Sequence, residues 1–97
     1  MIIAIDYDGT YAADPETFNH VIETFRQAGH AVICVTGRSA GIMGQPVLDS
    51  IGKIIGEENC IFAGTLWKRM AAEKNGWKVD VWIDDMPEMI SRPSGGF

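Results

Sequence analysis

Two rhythms of apolar residues alternate along the chain. Ile2, Ile3, Ala4 and Ile5 form a short unbroken run, the pattern of a strand covered on both faces, and the run stops at Asp6. A second run over residues 31–35 stops at Thr36, a third over 60–63 stops at Gly64, and a fourth over 79–83, interrupted by Asp80, stops at Asp84-Asp85. Between the first two runs, Phe18, Val21, Ile22, Phe25 and Ala28 recur at helical spacing. Asp14 can cap that helix, Pro15 suits its first position, Glu16 favours its positive end and Gly29 fits the left-handed stop. Residues 39–45, rich in small residues, read as a loop before Pro46 opens a helix carrying Val47, Leu48, Ile51, Ile54 and Ile55. A third helix is predicted over residues 67–75, with Thr65 as a candidate cap and Gly76 as its stop, and Pro87 can start a last helical turn.

Strands alternating with helices predict parallel pairing through right-handed crossovers. The expected fold is a single α/β domain over residues 1–97, a three-layer α/β/α sandwich around a Rossmann-like parallel sheet of about four strands. The tail over residues 91–97, with Pro93 and two glycines, is expected to be mobile.

Composition bounds what such a domain can do. Its 97 residues, 46% of them hydrophobic, suffice for one core and leave no room for a second domain. Eight Lys and Arg against 13 Asp and Glu give a net charge of −5, the wrong sign for a surface that condenses on a polynucleotide. No apolar run approaches the ~20 residues of a membrane span, so no membrane partner is expected. The N-terminus lacks the basic lead and apolar length of a secretory signal, and Cys34 and Cys60 sit in apolar runs as buried thiols would. A cytoplasmic location is expected.

In an open parallel sheet, ligand-binding groups lie beyond the carboxyl ends of the strands, where loops converge while helices cover both faces. Three strands here end in polar residues: the first in Asp6, with Asp8 two residues on, the second in Thr36, and the fourth in Asp84 and Asp85. Four carboxylates on one rim would repel each other at neutral pH, and those loops supply no evident buried Arg to match them. A divalent cation would relieve that repulsion. Oxygen donors without His or Cys favour a hard ion, and a set that leaves room for water and phosphate suits Mg²⁺ better than Ca²⁺, with zinc disfavoured. With a metal present, the Thr36 hydroxyl, the Gly37 amide and a lysine could hold phosphoryl oxygens, so the expected ligand is a phosphate.

Each feature also has a plainer use. A lone Asp-x-Asp after a strand is often turn chemistry, Thr36 and Gly37 could merely form a turn, and Lys68 could sit on a solvated helix face. His20 and His30 have no cluster around them and read as surface residues. Trp67, Trp77 and Trp82 read as packing rather than base stacking, while Tyr11 lies close enough to Asp6 in sequence to touch a leaving group.

Asp6-Tyr7-Asp8-Gly9-Thr10 after an apolar strand resembles the first motif of the haloacid dehalogenase (HAD) superfamily. Val35-Thr36-Gly37-Arg38 resembles its second motif and Val81-Trp82-Ile83-Asp84-Asp85 its fourth, in the same order and across nearly the whole chain. The resemblance implies a HAD-like hydrolase in which Asp6 is the nucleophile that forms an aspartyl-phosphate, and Asp8 protonates the leaving oxygen and later activates water. An acid at position 8 implies a phosphatase rather than a dehalogenase or an ion-pumping ATPase. The implied Mg²⁺ ligands are the Asp6 carboxylate, the Asp8 backbone carbonyl and Asp84, with Asp85 acting through a water or orienting the lysine. Lys68, which opens the helix leading into the fourth strand, is the choice for that third-motif lysine, with Lys53 and Lys74 competing; Arg38 could reach the site or face water. No cap domain fits between Asp8 and Asp14 or between Phe62 and Trp67, which implies a capless member with an open site. Its phosphorylated substrate could be a small molecule, a nucleotide or a phosphoprotein, and a second subunit could cover the opening.

Two other classes compete. Bacterial receiver domains also carry an acidic Mg²⁺ site on a parallel sheet, but they place paired acids after the first strand and the phosphorylated Asp after the third; here the spaced pair comes first and the adjacent pair last. A catalytically degenerate relative would bind phosphate or a protein without turnover, although Asp6, Asp8 and Asp84 are all present.

Overall fold

Residues 1–93 are described in the computed structural model. Four strands, β1 (Ile2–Ile5), β2 (Ala31–Thr36), β3 (Cys60–Phe62) and β4 (Val81–Ile83), form one sheet in the order β3-β2-β1-β4. Every pairing is parallel. The helices are α1 (Pro15–Gln27), α2 (Gln45–Asp49), α3 (Ile51–Ile55) and α4 (Lys68–Lys74). Successive strand residues face opposite sides. Ile3, Ile5, Val32 and Cys34 therefore pack with Ile22 of α1 and with Val47, Ile51 and Ile55 of α2 and α3, whereas Ala4, Ile33, Val35 and Ile61 pack with Ala71 and Ala72 of α4. Apolar residues on both strand faces produce the Rossmann-like α/β sandwich that the unbroken runs predict.

The strand order determines where a site can form. From β1 the chain passes through α1 to β2, then through α2 and α3 to β3, all over one sheet face. It returns over the other face through α4 to reach β4, beside β1. The segment leaving β1 heads for α1, while the one leaving β4 turns toward α4, where Ile90 O accepts the Arg69 amide at 2.8 Å. Divergence between these adjacent strands opens a crevice at their carboxyl ends.

Several local features follow the expected chemistry. Asp14 Oδ1 accepts the Thr17 amide at 3.3 Å at the start of α1, and Gly29 adopts the left-handed φ of 89° just past its end. Others differ. The helix expected over residues 46–55 is two short helices, because Ser50 leaves helical geometry (φ −118°, ψ −93°) and its hydroxyl donates to Pro46 O at 2.6 Å. The break preserves phase, so Val47, Ile51 and Ile55 still reach one core. The fourth strand begins at Val81 rather than at residue 79, since Asp80 pairs with β1 partly through its side chain, its carboxylate accepting the Ile2 amide at 2.7 Å. Strand β2 includes Thr36, β3 stops at Phe62, and the residue preceding α4 is Trp67 rather than Thr65, without a side-chain cap.

Cys34 and Cys60 are buried and free, and burial pushes the Cys34 thiol well up and the Cys60 thiol to about 11. Trp77 and Trp82 pack on the α4-side core, with the Arg69 guanidinium 5.6 Å from the Trp82 ring. His20 is exposed, and half-buried His30 takes the N-terminal amine on Nδ1 at 2.9 Å. Of the tail expected to be mobile, Ser91 is tied down, its Oγ accepting Arg69 Nε at 2.7 Å, and residues 94–97 lie outside the described residues. Among the described residues, no helix is long and apolar enough to cross a membrane.

Candidate functional site

The crevice between β1 and β4 holds three of the four acids predicted to share a rim. Backbone pairing runs up to the site itself: the Asp6 amide donates to Ile83 O at 3.0 Å, so the end of β1 is fixed against the residue that precedes Asp84. Asp6, Asp84 and Asp85 each present a carboxylate oxygen, and these oxygens lie within 4.8 Å of one another. The Asp6 and Asp84 side chains are almost fully buried.

Lys68 supplies the cation between them. Its Nζ lies 2.7 Å from Asp6 Oδ1 and 2.6 Å from Asp84 Oδ2, and the residue is itself buried. Burial pulls the ammonium toward neutrality, but hydrogen bonds to Asp6 and Asp84 outweigh it and hold the Lys68 pKa above its ordinary value. The helix phase explains the placement: Lys68 is the first residue of α4 and points to the carboxyl rim, whereas Lys74 lies in the last turn and Lys53 on α3, both exposed. Lys68 is thus the lysine that the fold brings to the acids.

The loop after β1 is shaped around Asp85. Gly9 has φ 74°, a conformation that L side chains resist, and a Cβ there would lie 2.8 Å from Asp85 Cγ. The Thr10 hydroxyl sits 3.3 Å from Asp6 Oδ2 and 3.2 Å from Asp85 Oδ1, and it accepts the Asp85 amide at 3.3 Å. Asp84 Oδ1 in turn accepts the Met86 amide at 2.9 Å, closing the turn that follows β4. Thr10 received no role from the sequence; its place beside the Asp-x-Asp-Gly run was the available signal.

Burial pushes Asp6 up to about 6 from an ordinary 3.8; Lys68 opposes the shift and a hydrogen-bonding contact with Asp85 adds to it. The same contact, with Asp6 as the proton holder, sets Asp85 below its ordinary value.

Asp8 stands apart from this group. Its carboxylate is exposed and makes a bidentate pair with Arg38, Nε to Oδ2 at 2.9 Å and Nη2 to Oδ1 at 2.8 Å. Hydrogen bonding to Arg38 holds Asp8 below the usual carboxylate range. Arg38 also donates from Nη1 to Met43 O at 2.8 Å and lies 5.1 Å from the centre of the Tyr7 ring. The loops offer no evident buried Arg in the sequence, and Lys68 is the lysine expected at this rim; in the structure Lys68 meets Asp6 and Asp84, and Arg38, which the sequence leaves able to reach the site or to face water, meets Asp8.

Thr36 is fully buried, and its Oγ1 accepts the Arg38 amide at 3.1 Å, a turn-forming contact. Gly37 is exposed and lines the same pocket of about 200 Å³ as Asp6, Asp8, Lys68 and Asp84. Tyr11 is buried and its hydroxyl donates to Asn19 Oδ1 at 2.7 Å, toward α1.

The donor set can be tested against a metal ion. Three carboxylates against one ammonium leave two formal negative charges in a partly buried crevice, the charge that a divalent cation balances. All-oxygen donors suit a hard ion. Asp6, Asp84 and Asp85 could therefore hold a metal ion; the Asp8 carboxylate, engaged by Arg38, is not in the cluster. Comparison of the chain with protein-family models, curated proteins and solved structures finds no match.

Proposed function

We propose that the chain is a HAD-type, Mg²⁺-dependent phosphatase that hydrolyses phosphomonoesters through an aspartyl-phosphate on Asp6. The observation that carries this reading is the Asp6–Lys68–Asp84 bridge, two acids from adjacent strand ends held by one buried lysine. Phosphoryl transfer needs positioning and charge neutralisation more than covalent machinery from the protein. A divalent ion held by the acids would supply part of that neutralisation.

The chain's own groups do the rest. A carboxylate oxygen of Asp6 attacks phosphorus and the bond to the leaving oxygen breaks, with Asp8 donating the proton that the leaving oxygen takes. Water then gives a proton to Asp8 and attacks the same phosphorus, releasing inorganic phosphate and the free Asp6 carboxylate. Lys68 and the Gly37 amide are the donors for phosphoryl oxygens; Thr36, fully buried and outside the pocket lining, shapes the loop that carries Gly37 by accepting the Arg38 amide. Asp8 must leave Arg38 to act, since both of its oxygens are engaged. The free, buried Cys34 and Cys60 support a reducing, cytoplasmic setting for this chemistry.

The Asp8–Arg38 pair supports a second reading, a phosphate-binding module without turnover, because an Asp8 fixed on Arg38 transfers no proton. Hydrolysis of p-nitrophenyl phosphate separates the two. Turnover that needs Mg²⁺ and disappears in Asp6→Asn supports the phosphatase. Phosphate binding without turnover supports the module, and metal-independent turnover or an active Asp6→Asn variant overturns the mechanism.

A further inference from the structure

The floor of the pocket and its wall are chemically unlike. Asp6, Asp8, Lys68, Asp84 and Asp85 supply its charged groups, Gly37 lines it without a side chain, and Met86 and Met89 supply its apolar side chains. Both methionines are about half exposed, at 49% and 47%. They belong to one hydrogen-bonded turn. Asp84 Oδ1 accepts the Met86 amide, the Met89 amide donates to Met86 O at 3.0 Å, and buried Ile90 anchors the end through its bond from Arg69. The acid that helps hold Lys68 therefore also fixes the backbone from which Met86 projects.

The apolar character extends past the pocket. Met43, at 61% exposure, is tied to the Asp8 corner through Arg38, and its neighbour Ile42 is 92% exposed. Most of the large exposed apolar side chains of the described residues thus lie on segments that leave the carboxyl ends of the strands, where a core or a surface chosen for solubility alone would not gather them.

Among the described residues, the pocket lining contains no Ser, Thr, Asn, Gln, Tyr or His. A phosphate would use the donors of Lys68 and Gly37, and the carboxylates are committed to the lysine, to Arg38 and to any metal. A sugar or other polyhydroxylated leaving group would then lie against thioethers with its hydroxyls unpaired, which is costly for a desolvated polar group. Methionine is flexible and polarisable and accommodates apolar groups of varied shape.

We propose that the site selects phosphomonoesters whose leaving group is apolar, an alkyl or aryl alcohol that lies along Met86 and Met89 while the phosphate occupies the charged floor. This rests on the phosphatase reading above and names its substrate class.

The test is phosphate release with Mg²⁺ from a series of n-alkyl phosphates from methyl to hexyl, with phenyl phosphate, glucose 6-phosphate and a phosphoserine peptide beside it. The expected kcat/KM rises about twofold per added methylene, about half of the effect of full burial, and phenyl phosphate exceeds glucose 6-phosphate by at least about tenfold. The rise flattens in the double variant Met86→Ser/Met89→Ser and persists in Met86→Leu/Met89→Leu, which keeps an apolar wall. A flat alkyl series, or preference for glucose 6-phosphate or the phosphopeptide, overturns the substrate class and leaves the phosphatase reading standing. No release from any of these esters overturns both.

Discussion

Lys68 Nζ lies 2.7 Å from Asp6 Oδ1 although 62 residues separate them, and the same ammonium lies 2.6 Å from Asp84. One buried cation thus joins the ends of two adjacent parallel strands. Removing it leaves two buried carboxylates close together without a cationic partner, the situation in which a broken ion pair is most costly. Lys68→Met is expected to lower unfolding free energy by roughly 3–5 kcal/mol in metal-free buffer, and Mg²⁺ is expected to restore part of it. Urea denaturation with and without the metal checks both halves.

Asp6 carries a pH signature. Its carboxyl is pushed up to about 6 against an ordinary 3.8, so the folded chain keeps this proton over a range where the unfolded chain has lost it. The stability it contributes is fully present below 3.8 and is lost as pH rises through about 6, on the order of 3 kcal/mol in all. Asp8 works in the opposite direction, because its lowered pKa gives stability above the ordinary carboxylate value that is lost on acidification. Carboxyl ¹³C NMR of the metal-free protein should give an Asp6 midpoint near 6, and Mg²⁺ should move that midpoint down.

Much of this arrangement is legible in the sequence, for identifiable reasons. Apolar runs ending in Asp6, Thr36 and Asp84 mark the parallel strands and put the acids at one edge. A run of hydropathy cannot show contacts made across the fold. The Asp8–Arg38 pair spans 30 residues, and the sequence leaves open whether Arg38 reaches the site or faces water. Ser50 breaks a helix through its own hydroxyl without disturbing the apolar spacing, so the pattern over residues 46–55 looks continuous. Lys68 was separable from Lys74 by helix phase, whereas the Tyr11 hydroxyl turns to Asn19 through a contact that no spacing rule contains.

Arg38→Gln should free Asp8 with little effect on folding, since the Asp8 carboxylate is exposed and its ion pair lies at the surface. The Asp8 pKa is expected to rise toward its ordinary value once the guanidinium is gone. If Asp8 moves the proton to the leaving oxygen, the alkaline limb of the kcat/KM profile, where Asp8 has lost that proton, shifts up in pH in this variant. An unshifted profile removes Asp8 from that role.

Gly9→Ala is expected to cost about 1–2 kcal/mol from the left-handed backbone alone, and more from the approach of its methyl to the Asp85 carboxylate. Displacing Asp85 should also weaken binding of Mg²⁺, which calorimetric titration of the folded variant would measure. Unchanged metal affinity would show that Asp85 takes no part in holding the ion.

The most direct measurement is a rapid acid quench of the Asp8→Asn variant during turnover of p-nitrophenyl phosphate with Mg²⁺, followed by peptide mass spectrometry. Slowed breakdown should leave a phosphoryl group on the peptide containing Asp6, absent from the Asp6→Asn variant. Hydrolysis that continues with the phosphoryl group on another residue, or with none on the protein, would contradict nucleophilic attack by Asp6.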